Sequence, residues 1–106
     1  MVTATGEVDL TNAGSLRDAL LSALNAGALS LVVDMTATTF LDSAGVTALV
    51  RASRRAAATD AALRLAVTSA PVLRVLNLVG IDQLIEVYPS VSEAVASLPE
   101  HRTEPA

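Results

Sequence analysis

Residues 31–46 read Leu-Val-Val-Asp-Met-Thr-Ala-Thr-Thr-Phe-Leu-Asp-Ser-Ala-Gly-Val, and no other stretch says as much about the fold class. The apolar run that begins at Leu29 and ends at Asp34 is typical of a strand covered on both faces. A threonine-rich connection follows, and helical spacing of apolar residues then predicts a helix from Ser43 to about Ala58. A buried strand that leads into a helix indicates a parallel α/β sheet.

The same alternation of strand and helix runs through the rest of the chain. Asn12 and the Ser90/Glu93 pair are helix N-cap signals, while Gly27 and Gly80 are stop signals. We predict one α/β domain over residues 1–98, with about four mostly parallel strands and four packed helices, and a polar, flexible tail at 99–106. The predicted strands are 2–10, 29–34, 63–67 and 84–88, and the predicted helices are 12–25, 43–58, 69–79 and 90–98.

The central apolar position of each periodic segment predicts a single shared core. These positions are Leu20, Val33, Leu49, Leu65 and Leu76. The first strand is predicted to lie at or near a sheet edge, where an unpaired row of backbone groups would favour a homodimer.

Composition excludes several classes of function. The net charge of −4 disfavours nucleic acid and anionic membrane surfaces, and no apolar run is long enough to span a bilayer, so we expect a cytoplasmic protein. The chain has no cysteine and no lysine, which removes disulfides, thiolate catalysis, P-loops and Schiff bases. No cofactor or metal is expected.

The candidate site is Asp42-Ser43, at the start of a helix beyond the carboxyl end of a central strand. Ligands of open α/β sheets bind at that edge, and free amides at a helix start suit an anion such as a phosphate. Ser43 can also cap the helix by accepting from the amide of about Val46. From spacing alone, a pure capping role for Asp42 and Ser43 stays open.

Three motifs in order resemble the STAS family. They are Gly6-Glu7-Val8-Asp9-Leu10, then Leu31-Val32-Val33-Asp34 with the loop at 40–46, and finally Pro71 to Ile81. The Asp-Ser-x-Gly arrangement is similar to that of its anti-sigma factor antagonist branch. The family usually has a further strand before the first strand predicted here, which leaves open whether that strand is absent from this sequence.

The resemblance implies a partner switch. The unmodified protein would bind an anti-sigma factor that is a GHKL-type serine kinase, and this binding would free a sigma factor. Phosphorylation at Ser43 would release the anti-sigma factor. A PP2C-type phosphatase would then remove the phosphate and restore the binding form. The implied partner-binding residues are Asp9, Asp34, Asp42, Ser43, Ala44 and Gly45.

Other functions compete with this interpretation. A STAS module that binds a small ligand, nucleotide or transport partner without a kinase cycle remains the alternative. Catalysis is disfavoured because the sole histidine, His101, lies in the tail and Ser43 lacks the setting of a nucleophile elbow. Asp9, Asp34 and Asp42 could gather around a metal, although capping and turn formation account for them more simply. An arginine face at 51–55 fits an acidic partner patch, a phosphate or a solvated surface.

Overall fold

The structure is a computed structural model that describes residues 1–99. The tail predicted at 99–106, including His101, therefore lies outside the described residues from position 100 onwards. A short 3-10 helix spans Ile81–Gln83. The other elements, in chain order, are β1 (Val2–Val8), α1 (Ala13–Asn25), β2 (Ser30–Leu41), α2 (Ser43–Thr59), β3 (Ala62–Val67), α3 (Ala70–Val79), β4 (Glu86–Tyr88) and α4 (Val91–Ala96).

The four strands form one sheet in the order β1-β2-β3-β4, and every neighbouring pair is parallel. This confirms the predicted fold class. β2 is a central strand, as its continuous apolar run predicted, and β1 lies at the edge. Dimerisation through that edge stays a prediction.

Helices cover both faces of the sheet. Three crossovers that step in the same direction place α1, α2 and α3 on one face, where they bury the apolar side chains of β2 and β3. α4 covers the other face, where Ala94 packs against Val32 and Ala66. The predicted shared core is confirmed, since all five of its residues are fully buried in one cluster: Leu20, Val33, Leu49, Leu65 and Leu76.

β2 is longer than predicted, because the threonine-rich segment is strand and not a loop. Branching at Cβ makes threonine a good strand former, and the fully buried Thr38 donates its hydroxyl to Ala4 O at 2.8 Å. Between the pairs Thr3/Asp34 and Val8/Leu41, β2 contains two more residues than β1, which are accommodated as bulges. β2 therefore continues past the end of β3 with β1 as its partner.

The end of α3 and the start of α4 follow their sequence signals, whereas Asn12 occupies the N-cap position of α1 without making a capping hydrogen bond. Gly80 has φ of +79° at the end of α3, a conformation that glycine adopts without steric cost. Ser90 Oγ accepts from Glu93 N at 3.1 Å at the start of α4, as the capping pair predicted. Among residues 1–99, the helices are all too short or too polar to cross a membrane.

Candidate functional site

The candidate site is built where β1 and β2 end side by side. Val8 and Leu41 are register partners, and Asp42 N donates to Val8 O at 3.0 Å. The segments that follow the two strands therefore leave the sheet together. This brings the turn at Asp9 next to the start of α2, at the carboxyl edge of the sheet.

Asp42, and not Ser43, is the N-cap of α2. Its backbone is extended, and its carboxylate accepts from the amides of Ala44 at 2.9 Å and Gly45 at 3.2 Å. The amide of Val46 donates to Asp42 O at 3.0 Å, as the first bond of the helix. The expectation that Ser43 caps the helix is therefore wrong, because the aspartate one residue earlier already holds the free amides.

Ser43 is the first residue of α2 and is exposed. Its carbonyl accepts from Thr47 Oγ1 at 2.9 Å, whereas no hydrogen bond within residues 1–99 uses its own hydroxyl. The Ser43 hydroxyl is thus free of any capping role and faces solvent at the positive end of the helix. Such a hydroxyl can be modified without breaking a structural contact.

Gly45 brings α2 close to the sheet. It is buried, and a Cβ at this position would overlap the Leu41 side chain and lie 2.9 Å from Val8 Cγ1. Only glycine allows the first turn of α2 to rest on the last residues of both strands. In the Asp-Ser-x-Gly sequence, the glycine thus sets the position of the turn that carries Ser43.

We expect Gly45→Ala to lower the free energy of unfolding by about 1–3 kcal/mol, because an added methyl group overpacks this contact. Gly14→Ala is the matched control. A Cβ there meets only Arg17 Nη2 at 3.8 Å, so helix propensity should leave stability unchanged or raise it by up to about 1 kcal/mol. Urea denaturation of both variants tests this, and equal effects would contradict the close-approach role of Gly45.

Asp9 organises the turn between β1 and α1. Its carboxylate accepts from the hydroxyl and, at 2.9 Å, the amide of Thr11. Asn12 closes the turn from the other side, since its Oδ1 accepts from Asp9 N at 2.9 Å and its Nδ2 donates to Glu7 O at 2.8 Å. The bonds from Thr11, led by its hydroxyl, hold the pKa of the Asp9 carboxyl below its usual value.

Thr11→Ala should raise the pKa of Asp9 towards its usual value, because the hydroxyl that stabilises the carboxylate is lost. NMR titration of the Asp9 side chain measures this shift, with Thr11→Ser as the control that keeps a hydroxyl. In the wild type, the depressed pKa stabilises the fold above the unfolded-state pKa, and this contribution is lost as pH falls through the folded-state value. An unshifted Asp9 in Thr11→Ala would contradict the assigned bond.

Asp34 is not part of this site. It lies within β2, where it accepts from Thr36 N at 3.0 Å and Thr36 Oγ1 at 2.6 Å. Because β2 continues to Leu41, Asp34 is separated from Asp42 by about 20 Å along the strand, after allowance for the two bulged residues between them. The structure therefore does not bring Asp34 together with Asp9 and Asp42, as the disfavoured metal arrangement would have required. Within residues 1–99, no three acidic or histidine side chains come together as a metal site.

The arginines predicted to share one face of α2 have different neighbours. Arg55 Nε donates to Asn25 Oδ1 at 2.7 Å, at the end of α1. Arg51 lines a groove between the first halves of α1 and α2, together with Arg17. Arg54 is exposed and lies outside that groove.

Sequence reasoning missed two exposed apolar residues near Ser43. Leu10 is 83% exposed at the tip of the Asp9 turn, and Phe40 is 45% exposed just before the end of β2. The signal for Leu10 was an apolar residue in the otherwise polar run Asp9 to Asn12. Single exposed apolar residues are common on protein surfaces, so it is the position of these two near Ser43, and not their exposure alone, that makes them candidates for partner contact.

Comparisons with known proteins agree on one family. A family model described as the STAS domain matches residues 1–94. A crystal structure of an anti-sigma factor antagonist from Mycobacterium paratuberculosis is similar, with a TM-score of 0.84, 22% identity, and coverage of 92% of this chain and 83% of that chain.

Two further structures share the fold. A protein from Thermotoga maritima has a TM-score of 0.80 and 22% identity, over 87% of this chain and 80% of its own. The anti-sigma factor antagonist SpoIIAA in its unphosphorylated form has a TM-score of 0.67 and 19% identity, over 89% of this chain and 82% of its own. No functionally curated protein gives a significant match.

Proposed function

Because this chain belongs to the STAS domain family, we propose that it is an anti-sigma factor antagonist that acts by reversible binding and not by catalysis. Two of the similar structures are of proteins with that role in their names. The observation that carries the proposal is the Ser43 hydroxyl, which is exposed at the first residue of α2 and has no capping bond to lose.

In the proposed cycle, the unmodified protein binds a GHKL-type serine kinase that is also an anti-sigma factor, and a sigma factor is freed in the cytoplasm. Phosphorylation of Ser43 then releases the kinase, and a PP2C-type phosphatase restores the binding form. The fold needs no rearrangement for this, because modification of the Ser43 hydroxyl breaks no hydrogen bond within residues 1–99.

The N-cap explains why a phosphate would act on the partner and not on the fold. A phosphate adds about −1.5 to −2 charge, which the positive end of α2 tolerates. The amides of Ala44 and Gly45 are already bonded to Asp42, so a phosphate on the exposed Ser43 replaces no existing capping bond. The added charge then lies at the surface, beside the Asp42 carboxylate.

The proposed contact surface consists of Ser43 and the accessible residues around it. Asp9, Asp42 and Ala44 are half-buried at the same edge, so their accessible atoms can meet a partner. Gly45 is buried and acts on the surface through its position. Asp34 lies away from this edge, and we leave it out of the contact set.

The test is intact-mass analysis after incubation with GHKL-type kinases of the same organism and ATP. Wild type should gain one phosphate from its cognate kinase, whereas Ser43→Ala should gain none. Thr59→Ala is the matched control, because Thr59 is an exposed hydroxyl residue at the far end of the same helix, away from Ser43. It should be phosphorylated like the wild type. Phosphorylation that persists in Ser43→Ala, or that no kinase produces, would contradict the proposal.

A further inference from the structure

Leu10 is the most exposed large apolar residue in the described part of the chain, at 83%. Its backbone is nonetheless held on both sides by the hydrogen bonds of Asp9, Thr11 and Asn12. An apolar side chain on a pre-ordered turn loses little conformational entropy when a partner covers it. Leu10 is therefore suited to act as an anchor for a binding partner.

A groove of about 300 Å³ lies beside Leu10, between the first halves of α1 and α2. It continues directly from the Ser43 surface, since Ala44 and Thr47 line it. Arg17 of α1 and Arg51 of α2 form part of its walls. A partner that contacts Ser43 therefore reaches this groove as part of the same interface.

Two charged residues line the groove, and both are arginines, Arg17 and Arg51. This local positive charge contrasts with the net charge of −4 of the whole protein. Arg51 is exposed and has no carboxylate within ion-pair distance among residues 1–99. Arg17 pairs with its neighbour Asp18 at 3.0 Å, but both side chains are well exposed, so water screens this pair and a partner can exchange it. The groove thus complements carboxylates.

We infer that this groove docks an acidic segment of the anti-sigma factor, with Leu10 as the apolar anchor and Arg51 and Arg17 as the carboxylate-binding residues. The inference rests on the proposed function and adds the chemistry of the partner to it. Arg51 lies two helical turns from Ser43, about 12 Å along α2, so a segment docked on Arg51 also passes the residue that is phosphorylated.

The experiment uses the kinase that phosphorylates Ser43 in the mass assay, titrated calorimetrically into the full chain. Leu10→Ser and Arg51→Glu should each weaken binding about tenfold or more, as expected for anchor residues of an interface. Arg54→Glu is the matched control, with the same charge reversal on the same helix outside the groove, and should change affinity less than about threefold. Circular dichroism should show all three folded, because these side chains are exposed.

A salt series separates the charge from the apolar contact. Wild-type affinity should fall as salt rises, and this dependence should shrink in Arg51→Glu but persist in Leu10→Ser. If the wild type binds the kinase and neither Leu10→Ser nor Arg51→Glu changes the affinity, the docking groove is overturned and the proposed function still holds. A loss in Leu10→Ser alone overturns the acidic chemistry of the partner, and a wild type that binds no such kinase overturns both proposals.

Discussion

Ser43→Asp is expected to weaken binding of the anti-sigma factor on the order of 100-fold, since like charges brought together in an interface cost several kcal/mol. The free energy of unfolding should stay within about 0.5 kcal/mol of the wild type, as for exposed positions outside special features. An acidic side chain at the first residue of α2 also interacts favourably with the helix dipole. Binding and stability should therefore respond independently.

Two neutral variants complete the series. Ser43→Ala and Ser43→Gly should bind like the unmodified protein, because neither carries charge and neither removes a hydrogen bond within the described chain. Stability should also stay within about 0.5 kcal/mol of the wild type for Ser43→Ala, since Asp42 keeps the cap. Calorimetric titration of the kinase and urea denaturation give the two quantities for each variant.

The phosphorylated wild type is the decisive comparison. Its affinity should match that of Ser43→Asp or be lower still, because a phosphate carries more charge than a carboxylate. Equal affinities for the phosphorylated protein and all three variants would show that the residue has no switching role, and the partner switch should then be abandoned.

Periodicity predicted the order of elements and the core because those features depend on local patterns. A short run such as Leu31 to Val33, which is rich in β-branched residues and follows a glycine stop signal, favours the inside of a sheet covered on both faces. The all-parallel order follows from alternating strands and helices with short links. These inferences need no knowledge of distant residues.

The threonine-rich part of β2 could not be placed in this way. Polar residues between an apolar run and a helix are typical of a loop, and only pairing with β1 makes them strand. The buried bond from Thr38 to Ala4, 34 positions earlier, is a tertiary contact that no local pattern reports. The predicted strand ended at Asp34, which placed this residue at the sheet edge. Because pairing with β1 extends β2 to Leu41, Asp34 lies within the strand instead.

The same distinction between local patterns and tertiary contacts applies to the residues of the candidate site. An aspartate followed by a serine predicts a helix start, but which of them caps depends on a backbone angle, the extended ψ at Asp42. The helical spacing of apolar residues that predicts α2 includes Val46 and Val50, yet both are only half-buried. Small residues are fully buried instead: Gly45, Ala48, Ala52 and Ala56. Small side chains on that face let α2 pack close to α1 and the sheet, and hydrophobicity alone does not rank alanine above valine.

Leu49 is the residue on α2 where the predicted and observed faces coincide. It is fully buried in the cluster that joins the three helices to the sheet, so Leu49→Ala should lower the free energy of unfolding by about 2–5 kcal/mol. Part of this loss is the removed apolar contact, and the rest is a cavity that the tight alanine-lined helix cannot close. For a small domain, such a loss is a large share of total stability.

Leu78→Ala is the matched control for this measurement, because it makes the same substitution at a leucine that is 79% exposed on α3. Its effect should stay within about 0.5 kcal/mol. Urea midpoints with a common m-value give both numbers. Equal midpoints for the two variants would mean that α2 presents another face to the sheet, and the first turn that holds Ser43 would then be rotated as well, since one rigid helix carries both residues.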